Sequence, residues 1–95
     1  MANSISQLSV AELLTEIARS LVDKPEDVSV TEESSETSSF LRLRVDPTDV
    51  GKIIGKQGRT ARSIRTLLGA ISVKVKHRYS LEILEDADSP SADSK

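Results

Sequence analysis

Asp46 and Asp49 stand at a spacing where two carboxylates could divide general acid and base work, but their setting gives them another job. Asp46-Pro47 is how a helix begins, with Asp as N-cap and Pro at the first helical position, and Asp49 completes the cap in its first turn. The pair is therefore read as structural. Gly51, Gly55 and Lys56 have the residue types of a phosphate-binding loop, yet that motif needs four residues between its glycines and a Ser or Thr where Gln57 stands, so ATP binding is rejected. Ser63 has neither flanking glycines nor a base near it in sequence, and nucleophilic catalysis has no support. His77 is the one histidine and there is no cysteine, which leaves too few ligands for an ordinary zinc site and excludes disulfides and thiolate chemistry. No role is assigned to His77. No enzyme, cofactor or metal is expected.

The segment that does carry function is Ile53-Ile54-Gly55-Lys56-Gln57-Gly58-Arg59-Thr60-Ala61-Arg62-Ser63-Ile64, two short helices joined by a glycine-bounded GXXG loop. Glycine at each end lets the chain turn tightly and approach another backbone, and the loop amides together with the start of the following helix face an anion. Lys52, Lys56 and Arg59 add positive charge, while Ile53 or Ile54 and Ile64 could floor an apolar groove beside the loop. A single strand could lie there, its phosphates on the loop and its bases over the aliphatic floor.

The remaining elements must hold this segment in place. Ser9-Val10-Ala11-Glu12 is a capping box, Leu8 and Leu13 sit at the staple positions, and Val10, Leu13, Leu14, Ile17, Ala18 and Leu21 repeat on one face of a helix that stops before Pro25. Val28 and Val30, then Leu41, Leu43 and Val45, alternate with polar neighbours as half-buried strands do, with Glu33 to Ser39 read as a polar loop of a hairpin. Arg42 and Arg44 on the second strand either sit on the open face of the sheet or pair with the acidic first strand, and the pairing is the expectation. Val50, Ile53 and Ile54 form the buried stripe of a short helix that ends at Gly55 in the left-handed C′ conformation. After Leu68 the pattern is ambiguous: Ile71, Val73 and Val75 alternate like a strand, yet Ile64, Leu68, Ile71 and Val75 also repeat like a helix. His77-Arg78 lacks the Gly or Asn of a tight turn, which favours a helix from Arg59 to about Val75 and a strand from about Arg78 to Leu84, with Tyr79, Leu81 and Ile83 toward the core.

Composition sets the outer limits. Ninety-five residues fit one small domain, and with only 2% aromatic residues the core must be aliphatic. The formal charge of −2 argues against a polyanionic partner until its distribution is read. Val50 to Leu81 contains no acid and holds eight of the thirteen basic residues, a block that on charge alone reads equally as a docking surface for an anion or as a solvated helix face. Lys74, Lys76 and Arg78 lie farther from the loop and read as a solvated face. No apolar run is long enough to span a bilayer and Met1 to Gln7 does not look like a signal peptide, so a cytoplasmic protein without membrane insertion is expected.

With these residues in view, the order helix, strand, strand, helix, GXXG, helix, strand resembles a type II KH domain. The match is closer still to the small bacterial single-KH proteins of the KhpA type: Asp46-Pro47, Asp49-Val50-Gly51-Lys52-Ile53-Ile54-Gly55-Lys56, Gly58-Arg59-Thr60, Ile64-Arg65-Thr66-Leu67-Leu68 and Ser80-Leu81-Glu82-Ile83 carry it, over roughly Leu8 to Glu85. The resemblance implies an α+β fold of order α-β-β-α-α-β, a three-stranded sheet covered on one face by helices, and a helix through the ambiguous segment. It also implies single-stranded RNA, about four nucleotides of it, held at Lys52, Ile53, Ile54, Gly55, Lys56, Gln57, Gly58, Arg59, Thr60, Arg62, Ser63 and Ile64. A role as RNA chaperone or post-transcriptional regulator, a link to cell shape, and a homodimer or a heterodimer with a Jag-type KH protein follow from the same resemblance. Gly69, Ile71, Val73 and Val75 depart from the Ala-rich helix usual in the family. The expected organisation is a flexible N-terminus over 1–7, the KH domain over 8–85 and a disordered acidic tail over 86–95, with the tail able to compete weakly for the basic block.

Overall fold

A computed structural model describes residues 9–84; the expectations for 1–7, for Leu8 as a staple and for 86–95 lie outside the described residues. Helix α1, Val10–Leu21, starts at the capping box: Ser9 Oγ accepts from the Glu12 amide and Glu12 Oε1 from the Ser9 amide, each at 3.0 Å. Strands β1 (Ser29–Ser34) and β2 (Ser38–Arg44) form an antiparallel hairpin, and a 3-10 turn, Pro47–Asp49, leads into α2 (Val50–Ile54). A second turn, Lys56–Gly58, precedes α3 (Arg59–Val75), and β3 (Arg78–Leu84) closes the sheet parallel to β2 in the order β1-β2-β3. The α-β-β-α-α-β order and the α+β class expected from the sequence are what the chain adopts, with α3 helical through the ambiguous residues.

The core lies between the sheet and its helices. Leu14 and Ala18 of α1, Ile53 of α2 and Ile64 and Leu68 of α3 meet Leu41, Leu43 and Leu81 of the sheet. Burial alternates strictly along β2: Ser39, Leu41 and Leu43 point under the helices, while Ser38, Phe40, Arg42 and Arg44 point away. On that outer face Arg42 covers the Phe40 ring at 4.9 Å and reaches Glu33 of β1 at 3.0 Å, the pairing expected with the acidic strand, and Glu82 of β3 at 3.4 Å, while Arg44 forms no ion pair among the described residues. Glu33, ahead of Glu82, holds the guanidinium above its ordinary pKa.

Several local expectations are corrected. Glu33 to Ser39 is mostly strand, not loop: Glu33 pairs with Phe40 and Ser34 with Ser39, leaving a connection of 35–37. The polar residues continue the ladder because this end of β1 is an exposed sheet edge, where hydroxyl and carboxylate side chains remain hydrated. Leu13 and Leu21 are edge positions of α1, 36% and 38% exposed. Val73 and Val75 are exposed on α3, so their strand-like alternation with Ile71 has no packing counterpart.

His77 is no idle surface residue either. Its Nε2 lies 2.8 Å from Ser39 Oγ, which lies 2.9 Å from Ser34 Oγ, which donates to Glu32 Oε2 at 2.8 Å. Because the carboxylate end can only accept, each hydroxyl donates toward Glu32, and His77 Nε2 must carry the hydrogen that enters the chain. Imidazole 15N NMR of the neutral protein should therefore show Nε2 protonated; an Nδ1–H tautomer would contradict this polarity.

Candidate nucleic-acid interface

The loop is shaped by three left-handed residues in a span of four. Gly55 has φ 79° and ψ 171°, Gln57 φ 58° and ψ 25°, and Gly58 φ 75° and ψ 13°. Gly55 thus has the positive φ expected of it, but its ψ takes it outside the left-handed helical basin into a region that is essentially glycine's alone. A Cβ on Gly55 would strike the Thr60 side chain and lie 2.8 Å from the Thr60 amide nitrogen, so Thr60 fills the notch that the missing side chain leaves. Gly58 has open space where its Cβ would be. The two glycines of the motif therefore do different work: Gly55 permits a close approach, and Gly58 only a turn.

Beyond the loop, α3 begins with no side-chain cap on its amides, which leaves its positive end available to an anion. Lys56, Gln57, Arg59, Arg62 and Ser63 are exposed around it. Arg59 touches only Gln57 Oε1, at 3.3 Å, and among the described residues no carboxylate forms an ion pair with Lys56, Arg59 or Arg62. Unpaired cations beside free helix amides form a surface complementary to phosphate.

Not every residue of the sequence-derived set lies on that surface. Ile53 is 0% exposed and belongs to the core, Ile64 is 5% exposed and faces α1, and Ile54 is left as the half-buried aliphatic residue next to Gly55. Lys52 is turned away into an ion pair with Asp23 at 3.3 Å and with Asp49 at 3.6 Å. Asp23 first, then Asp49, raises its pKa above the ordinary lysine value. Sequence spacing could not reveal this, because Asp23 comes from the far side of the chain.

Asp49 is the second correction. Its side chain caps nothing in its own helix; it is 1% exposed and accepts from the amides of Asp23 (3.3 Å) and Lys24 (3.0 Å), tying the end of α1 to the start of α2. Asp46 does cap, accepting from the Thr48 amide at 2.9 Å and from the Thr48 hydroxyl. These bonds, the hydroxyl's foremost, hold the Asp46 carboxyl below its ordinary pKa.

This geometry meets its counterparts in known proteins. The chain matches the family described as KhpA/KhpB, KH domain, over residues 11–83. It belongs to that family. It is 52% identical over 73 residues to the RNA-binding protein KhpA of Clostridium perfringens, covering 77% of this chain and 97% of that protein. Against the RNA-binding protein KhpA of Borreliella burgdorferi it is 53% identical over 74 residues, 78% of this chain and 90% of the other. Among solved structures, Aquifex aeolicus Era bound to GDP and aluminium fluoride superposes with a TM-score of 0.54 at 16% identity, over 80% of this chain and 31% of that one, a likeness of fold. Among the described residues no helix is long and apolar enough to cross a membrane.

Proposed function

We propose that this chain is a non-enzymatic RNA-binding module that holds about four nucleotides of single strand on the GXXG loop, as a KH domain does. The observation that carries the reading is the loop itself, with its close turn at Gly55, the uncapped start of α3 and the unpaired Lys56, Arg59 and Arg62. Relatives named RNA-binding protein KhpA, about half identical in sequence, support it. The contact surface is Ile54, Gly55, Lys56, Gln57, Gly58, Arg59, Thr60, Arg62 and Ser63; Lys52, Ile53 and Ile64 act by holding it in place. Binding is modest and electrostatic, so contact with four phosphates would give a log affinity that falls against log salt with a slope near −3.

Pairing with a second KH domain, in a homodimer or with a Jag-type protein, is favoured by a separate feature. An apolar groove runs between α1 and α3, lined by Val10, Leu13, Ile17, Ile64, Leu67 and Ile71, and Leu67 is 54% exposed beside it. Two loops brought together in this way raise avidity for RNA and suit a chaperone or post-transcriptional role in the cytoplasm. The competing reading is an adaptor that acts through this groove, with RNA incidental.

Replacing Lys56 and Gln57 together by Asp separates the two. Like charge at the loop should abolish binding of a labelled single-stranded RNA at low salt, with circular dichroism and self-association unchanged, since both side chains are exposed. Unaltered RNA affinity in the folded double variant would refute the loop as the RNA site, and no RNA binding by either protein would leave the adaptor reading standing.

A further inference from the structure

The RNA surface has a second candidate ligand within the same chain. Residues 85–95 carry Glu85, Asp86, Asp88 and Asp93 against the single base Lys95, whereas the loop region from Val50 to Leu81 carries no acid. The family match ends at residue 83, and the Clostridium perfringens relative is covered over 97% of its own length by 73 aligned residues, so this acidic segment is an addition to the shared domain.

The fold decides where the addition starts. Tyr79 N donates to Ser72 Oγ at 3.0 Å and Arg65 Nη2 to the Leu81 carbonyl at 3.4 Å, which fixes β3 alongside α3 and running back toward the helix start. From Ser72 the helix returns to Arg59 over roughly 20 Å, and from Tyr79 the strand reaches Leu84 over roughly 17 Å. Leu84 therefore lies at the end of the sheet from which β2 leads on to α2 and the loop. It stands opposite Arg44, an exposed cation of β2. Eleven residues can extend to about 36 Å.

We propose that residues 85–95 act as an intramolecular competitor of RNA, their carboxylates occupying the cationic surface of Lys56, Arg59 and Arg62 when RNA is absent. The proposal rests on the RNA reading above. A tethered ligand is present at millimolar effective concentration, so even a weak contact competes, and its charge makes the competition strongest at low salt. RNA that fills the loop with several phosphates displaces the segment, while isolated or poorly seated contacts do not. The addition would thus sharpen discrimination against weak, nonspecific RNA contacts.

The test compares three full-length proteins. One is unchanged, one carries Glu85→Gln, Asp86→Asn, Asp88→Asn and Asp93→Asn, and a control with the same change in net charge carries Glu16→Gln, Glu26→Gln, Asp27→Asn and Glu36→Gln at exposed positions. Titration with a labelled single-stranded RNA should show the tail variant binding about three- to tenfold tighter at low salt, the gap closing as salt screens the contact, and the control gaining far less. Equal gains in tail variant and control, or no gain in either while RNA binds, would overturn the competitor. Amide spectra recorded without RNA supply the independent arm. Resonances of Lys56, Gln57 and Arg59 should differ between unchanged protein and tail variant but not between unchanged protein and control. If no protein binds RNA, the RNA reading fails, and identical loop resonances would then dismiss the tail contact as well.

Discussion

Gly55→Ala should lose RNA binding by more than tenfold, whereas Gly58→Ala should lose far less. Sequence treats the two glycines of the motif as equivalents, but their surroundings differ. At Gly55 the backbone is in a glycine-only region, and the added methyl would meet both the side chain and the backbone nitrogen of Thr60. The side chain can rotate; the backbone nitrogen cannot move without shifting the start of α3. Strain of about 1–3 kcal/mol is therefore relieved by opening the loop, which displaces the amides and the cations of the proposed RNA contact. At Gly58 the methyl enters open space, and the cost is the left-handed conformation alone, about 1–2 kcal/mol. RNA titration of the two variants, with thermal unfolding to confirm that both fold, checks the contrast. Equal losses would mean that the Thr60 notch is not what shapes the loop.

The largest effect on stability is expected at Asp49, which is not among the proposed contact residues. Its two carboxylate oxygens accept from two different amides, Asp23 through Oδ1 and Lys24 through Oδ2, and Lys52 approaches Oδ1. Asp49→Ala leaves both amides without that partner and removes a partner from Lys52, a loss of about 2–4 kcal/mol. Asp49→Asn should be nearly as damaging, because one oxygen can serve only one of the two amides and the NH2 group would confront the other. For a domain of this size such a loss lowers the melting temperature by on the order of 10–25 °C. Thermal unfolding of both variants measures it, and an Asn variant as stable as the unchanged protein would show that the second amide does not depend on the carboxylate.

What could be read from the sequence is what local chemistry encodes. The capping box at Ser9 and Glu12, the Asp46-Pro47 start and the glycine-bounded loop depend on neighbours within a few residues, and each is found at its expected place. The end of α3 was legible from the poor turn chemistry of His77-Arg78; the left-handed Lys76 that ends it, at φ 58°, carries no signature because it is a lysine. Contacts between distant segments were not legible. Asp49 looked like a cap because its partners, the amides of Asp23 and Lys24, are identified only by the fold, and Lys52 looked like an RNA contact because Asp23 is invisible at that range. Ile53 and Ile64 fitted a groove floor by spacing, but a period of 3.6 specifies which residues share a face and not what that face meets. Polar strand ends such as Glu33 and Ser34 read as loop for the same reason, since the sheet edge that allows them is a tertiary feature.

The central claim, that the GXXG loop is the RNA clamp, is tested most directly by mapping amide shifts of 15N-labelled protein during titration with a short single-stranded RNA. Shifts concentrated from Gly55 to Arg62, weakening with salt, are the result predicted. Shifts gathered on the outer sheet face around Phe40 and Arg42, or along the α1–α3 groove with the loop unmoved, would contradict it.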